Sequence, residues 1–177
     1  MMTRLLLGVA LWMAVLGAQA AHGADDVRLA AANKTRLVRL LDEALRDAHI
    51  TKAQYAQSRS WIDATPCNGV ERSLGARRQF QLEAVIAKEQ KREKVHIYES
   101  FSSDGWLVLY TDASDGDSPY LFYATDPIKG ARPVTRWSGG ATIFDTSEVA
   151  QWVQKNAPGI PARVANCFAW HVTLGSQ

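Results

Sequence analysis

The chain reads as a single α+β domain. N-terminal helices pack on an antiparallel β-meander, followed by one or two C-terminal helices and a short final strand. Three observations predict this. Val95 to Asp126 holds three apolar or aromatic runs with turn residues between them, an amphipathic stripe precedes it, and helix-start signals follow it.

Before the domain, Arg4 supplies a basic start, Leu5 to Leu16 an apolar core, and Ala18-Gln19-Ala20 a small-x-small cleavage site. That is the grammar of a secretory signal, so residues 1–20 are expected to be removed and the mature chain to begin at Ala21. The apolar run is shorter than the ~20 residues that cross a bilayer, so no stable membrane insertion is expected after cleavage. Residues 21–32 read as a poorly ordered lead-in and 33–177 as the domain.

Leu37, Leu40, Leu41, Ala44 and Leu45 recur at helical spacing opposite Arg36, Arg39, Asp42, Glu43 and Arg46, which predicts an amphipathic helix to about Ala48. Thr51 can cap a second helix carrying Tyr55, Ser58 and Ile62, ended by Thr65-Pro66. From Gly75 to Lys94 the residue types favour a helix, yet Phe80, Leu82, Ala84 and Ile86 alternate with Gln81, Glu83, Val85 and Ala87. The alternation predicts a strand from about Gln79 to Lys88, with a helix as the other reading.

In the meander, Val95, Ile97 and Phe101 alternate imperfectly with His96, Tyr98 and Ser100. Trp106 to Thr111 follows one turn, and Tyr120 to Tyr123 the next. Pro133 to Trp137 reads as an edge strand because its proline has no amide hydrogen to donate. Asp145 to Glu148 resembles a capping box ahead of Val149, Trp152 and Val153. Pro161 opens a helix carrying Val164, Cys167 and Phe168, and Trp170 to Leu174 reads as the closing strand.

Composition excludes some functions. Loss of Arg4 with the leader takes one from 20 basic residues against 18 acidic ones, leaving the mature chain near neutral. No field then draws it to nucleic acid. Cys67 and Cys167 both follow the leader, and an even pair outside the cytosol is expected to form a disulfide. It would close a loop of about 100 residues, for which chain entropy gives ~4.7 kcal/mol.

Catalytic signals are sparse. Cys167 and His171 stand one helical turn apart, but a disulfide removes the nucleophilic thiol. His49, His96 and His171 lack HExxH spacing, no G-x-S-x-G marks a serine nucleophile, and Ser138-Gly139-Gly140 lacks the lysine of a P-loop. Asp112, Asp115 and Asp117 surround Gly116 without the closing glutamate of a calcium loop, so a polar hairpin tip is the plainer identity. No catalytic residue, metal ligand or cofactor is assigned.

The aromatics are the remaining signal. Tyr120 and Phe122 face one side of their strand while Leu121 and Tyr123 face the other. Helices over one side would leave aromatics exposed on the other; cover on both sides would bury all four. The expected function is an exported, periplasmic or extracellular, non-catalytic protein binding another protein of the cell envelope, an inhibitor or immunity-type protein being one form. Asp112, Asp115, Asp117, Tyr120, Phe122 and Trp137 are the candidate contacts. A small envelope hydrolase with an unrecognised site and a carrier of a small apolar ligand are the alternatives.

Overall fold

A computed structural model describes residues 31–112 and 118–175. Among them, α1 (Ala31–Arg46), α2 (Lys52–Asp63) and α3 (Ala76–Glu89) precede β1 (Ile97–Ser103), β2 (Trp106–Thr111), β3 (Tyr120–Tyr123) and β4 (Thr135–Trp137). Two helices follow, α4 (Thr146–Asn156) and α5 (Ala162–Trp170). The strands form one antiparallel sheet in the order β1-β2-β3-β4. The α+β class, with helices before and after a meander, is the architecture the sequence predicts.

Both faces of the sheet are covered. Phe101, Val108, Tyr120 and Phe122 pack with Leu37, Leu41 and Ile62 of the N-terminal helices and with Val153, Val164 and Phe168 of α4 and α5. Leu107, Leu109, Leu121 and Tyr123 on the opposite face pack with Leu82, Ile86 and Ala87 of α3. All four residues of β3 are therefore buried, and of the two arrangements open from sequence the doubly covered one is present.

The predicted strand at Gln79 to Lys88 is corrected: it is α3. Its good helix formers set the backbone, and one stripe, Leu82 and Ile86 four residues apart, is buried completely. Phe80, which made the sequence alternate, is 74 % exposed on the opposite side. The helix also finishes the outer edge of the sheet. Glu83 Oε1 accepts from the Ile97 amide at 3.0 Å, and the Gln79 side-chain amide donates to the Ile97 carbonyl at 3.1 Å. Polar groups at the rim of β1 are thereby paired by side chains rather than left to template another strand.

The predicted closing strand is also corrected. Alpha-helix α5 runs to Trp170 and passes into a π-helical turn over His171–Gly175. Trp170, His171, Val172, Thr173 and Leu174 are all buried, so the alternation a half-covered strand needs is absent. Thr173 Oγ1 donates back to the Ala169 carbonyl at 2.7 Å, holding the turn.

The helix starts divide. Thr51 forms the capping box with Gln54. Asp145 precedes α4 but makes no side-chain cap bond; its Oδ2 accepts from the Thr142 amide and hydroxyl, both at 2.7 Å. Thr142 reaches that oxygen first because the chain turns tightly before the helix. The N-terminal boundary moves as well, since Ala31 and Ala32 already belong to α1.

Cys67 and Cys167 are disulfide-bonded, with Cα atoms 4.5 Å apart and a separation of 100 residues. The bond fastens the turn after α2 to the middle of α5, and both residues are buried. Two indole bonds close the same layer: Trp61 Nε1 donates to Ser147 Oγ at 2.8 Å and Trp170 Nε1 to the Trp61 carbonyl at 3.1 Å.

Two outcomes check this architecture. Leu82→Ala should cost about 2–5 kcal/mol in denaturant unfolding and Phe80→Ala less than about 0.5 kcal/mol; equal losses would restore the strand, in which the two side chains share a face. Cys67→Ser should lower stability by about 2–5 kcal/mol. Because Cys167 is fully buried, its released thiol should react with a thiol reagent only as the protein unfolds; an unchanged melt would remove the bond from the account.

Candidate functional site

The sheet register assembles the site. Glu99 lies opposite Tyr110, Tyr110 opposite Tyr120, and Tyr120 opposite Trp137. Directly opposed residues share a face, so these four side chains make one row across all four strands on the α5 side. Glu99 reaches that row only because β1 carries a bulge. The register shifts between Ile97 and Glu99, leaving Tyr98 as the extra residue. In an unbroken strand Ile97 and Glu99 would face the same way; here Ile97 packs with α3 and Glu99 turns to the other side.

Three groups converge on one oxygen of Glu99. His171 Nε2 lies 2.5 Å from Oε2, a close polar contact without aligned hydrogen-bond geometry. Arg72 Nη2 lies 3.8 Å from the same atom, and the Tyr120 hydroxyl donates to it at 3.4 Å. Among the described residues, no hydrogen bond is made to Oε1. Arg72 is fixed from behind: Nε donates to the Ser100 carbonyl at 3.2 Å and its guanidinium lies 4.0 Å from the Phe101 ring centre.

The imidazole tautomer follows from its neighbours. Arg72 Nη2 is 3.4 Å from His171 Nδ1, and a guanidinium only donates. In the tautomer that suits this neighbour Nδ1 accepts and the hydrogen is carried on Nε2, facing Glu99. Nδ1 thus faces Arg72, while Nε2 faces Glu99 in close contact without an aligned hydrogen bond. The ring also stands edge-on to Phe101, with centroids 5.2 Å apart.

Burial raises the cost of ionising Glu99, but His171, Arg72 and Tyr120 together outweigh it and hold the carboxyl below its ordinary value. The Tyr120 hydroxyl moves the opposite way, pushed up by burial and then by the neighbouring Glu99 charge. At neutral pH the cluster therefore holds a carboxylate against a phenol that keeps its proton.

Beside this cluster a cleft of about 430 Å³ opens, lined by Glu99, Tyr110, Tyr120, Trp137, Gly140 and Val172. Tyr110 and Tyr120 are stacked at 4.5 Å, and Trp137 meets Tyr120 at 5.8 Å. Phe168 of α5 backs the aromatic wall, its centroid 4.9 Å from Tyr120 and 5.5 Å from Trp137.

The residues singled out from sequence fare unequally. Tyr120 and Trp137 belong to the row. Phe122 does not: its side chain is 0 % exposed beneath α5, and alternation that puts it on the face of Tyr120 also puts it under the helices. Asp112 is not an open loop carboxylate. Arg92 donates to Oδ2 at 3.1 Å and the His96 amide to Oδ1 at 2.8 Å, so it fastens the start of β1 to the end of β2. Asp115 and Asp117 lie outside the described residues. Cys167 and His171 do stand one turn apart, but the sulfur is in the disulfide and the imidazole faces Glu99 and Arg72.

Sequence reasoning missed Glu99, Arg72, Tyr110 and the role of His171. One signal was present: Glu99 occupies the parity of Ile97 and Phe101, where an unbroken strand would bury an apolar side chain. No family model matches the chain, and no curated protein or solved structure matches it either.

Acid sensitivity tests the cluster. The folded value of Glu99 lies below the ordinary 4.5, so its stabilising contribution is complete above that value and drains away as pH falls through the folded one. Between about pH 5 and about pH 3 the wild-type melting temperature should therefore fall more steeply than that of Glu99→Gln. Parallel curves would mean that the carboxylate contributes nothing to folding.

Proposed function

We propose that this is an exported, non-catalytic binding protein that holds a protein of the cell envelope at the cleft between Glu99 and Trp137. The observation that carries the reading is a cleft in which the part-exposed Tyr110 and Trp137 flank the buried Tyr120 and the row ends in the Glu99 carboxylate. Half-buried aromatic side chains next to an ordered polar group give an interface both area and orientation at small entropic cost.

The arrangement is poorly suited to hydrolysis. A general base needs a ring nitrogen within reach of the substrate, and those of His171 face Glu99 and Arg72. The Tyr120 hydroxyl is harder to ionise than usual, and both sulfurs are oxidised. A carrier of an apolar ligand is also less well supported. A hollow of about 780 Å³ mixes Leu74, Trp106 and Leu107 with the charged Glu71, Arg78, Asp104, Asp126 and Lys129, whereas a carrier needs an enclosed, predominantly apolar lining.

Export is supported by the leader pattern and agrees with the disulfide. Among the described residues no helix is long and apolar enough to cross a membrane. Inhibition of an envelope enzyme is the form this binding takes if the partner proves to be an enzyme held in a fixed ratio.

Immobilised mature protein, starting at Ala21 and oxidised, should capture one envelope protein stoichiometrically. Tyr110→Ala and Trp137→Ala should each weaken capture at least tenfold, about 1.4 kcal/mol, while Phe80→Ala on the far face leaves it intact. Loss with Phe80→Ala alone would move the interface to α3, and substrate turnover that disappears with His171→Ala would make the protein an enzyme.

A further inference from the structure

We infer that the cleft takes a cationic nitrogen, the ammonium or guanidinium of a basic side chain presented by the bound protein. The inference rests on the binding reading above and specifies the chemistry of the group that enters.

The two carboxylate oxygens of Glu99 are used unequally. His171, Arg72 and Tyr120 all address Oε2. Oε1 has no such partner among the described residues, although Glu99 lines the cleft. A carboxylate accepts at both oxygens, so the cleft contains an acceptor with capacity to spare. Among the described residues of its lining Glu99 is the charged one: Arg72 donates to the Ser100 carbonyl and rests on Phe101.

The other walls narrow the occupant further. Tyr110, Tyr120 and Trp137 surround the opening with aromatic rings, whose faces attract cations. An anion entering here would meet the Glu99 charge. An uncharged apolar side chain would cover a carboxylate oxygen without pairing it, at the cost of its desolvation. A neutral sugar would need several donors and acceptors, and the Tyr120 hydroxyl is already donated to Glu99. A basic side chain meets both demands at once: its N–H groups bond Oε1 and its charge lies against the rings.

The site has room for such a group. The cleft measures about 430 Å³, and at Gly139 and Gly140, which line it, no side chain of the described residues narrows the approach. A lysine or arginine held on a partner's loop can therefore enter end-on, while the aromatic row supports its aliphatic stem.

The test uses oxidised mature protein and five small probes: the N-acetyl methylamides of arginine, lysine, norleucine and glutamate, and methyl glucoside. The readout is the indole N–H resonance of Trp137, assigned with Trp137→Phe. Arginine or lysine should shift it with a dissociation constant at least tenfold below that of norleucine, and glutamate and the glucoside should bind more weakly still. Glu99→Gln, if its melt shows a folded protein, should remove the tenfold preference. The probe series decides the matter even if that variant does not fold. If norleucine, glutamate or the glucoside binds as tightly as arginine and lysine, or if Glu99→Gln folds and keeps the preference, the cationic assignment is overturned while the cleft stands as a binding site. If no probe shifts Trp137 although partner capture still depends on Tyr110 and Trp137, the assignment is likewise overturned and the interface survives. Silence in both experiments overturns both readings.

Discussion

One extra residue in β1 decides what the rest of the molecule can do. With Tyr98 bulged out, Ile97 and Glu99 face opposite sides of the same strand. Ile97 then joins the apolar layer under α3, and Glu99 opens the row that continues through Tyr110, Tyr120 and Trp137. Removing the bulge would drive the carboxylate into a layer of leucines, where an unpaired charge is very costly, or else expose Ile97. Tyr98 itself stays at the surface, against His96 and Tyr110.

The row is held in place by α5. Phe168 lies within ring contact of Phe101, Tyr120, Phe122 and Trp137, three of them edge-on within 5.5 Å. Edge-to-face contacts add a directional preference to the burial, so the wall of the cleft is positioned by geometry as well as by exclusion of water. The same helix runs on into the π-helical turn and delivers His171 to Glu99. Core and cleft thus share one scaffold, and a change that loosens Phe168 reaches both.

Much of the architecture was legible because it depends on local rules. Leu37 and Leu41 mark the buried stripe of α1, Thr51 caps α2, and the Asp104-Gly105 turn separates β1 from β2. Two elements misread for one reason: alternation in sequence says nothing about how many sides are covered. Phe80 looked like a core residue until α3 put it in solvent, and Trp170 to Leu174 looked like a strand although every residue is buried. The site was less legible still. Arg72, Glu99 and His171 are separated by long stretches of chain and meet only through the sheet register and the path of α5, which no short window of sequence contains. Tyr120 and Trp137, singled out as strand aromatics, both line the cleft. Phe122 was wrongly grouped with them because facing the right side does not ensure reaching the open end of it.

The disulfide has a further consequence through its position. Cys67 stands five residues before Arg72, and Cys167 stands one turn before His171, so the covalent bond joins the two segments that carry the supports of Glu99. Breaking it would remove the covalent link between those segments and leave Arg72 held by Ser100 and Phe101 without it. If the proposed partner binds at Glu99, its occupancy and the oxidation of the cysteines are linked: whatever factor oxidation adds to affinity, the bound molecule returns in resistance to reduction. A reductant titration would then report on the ligand, and the protein's redox potential would be a property of the complex as much as of the chain.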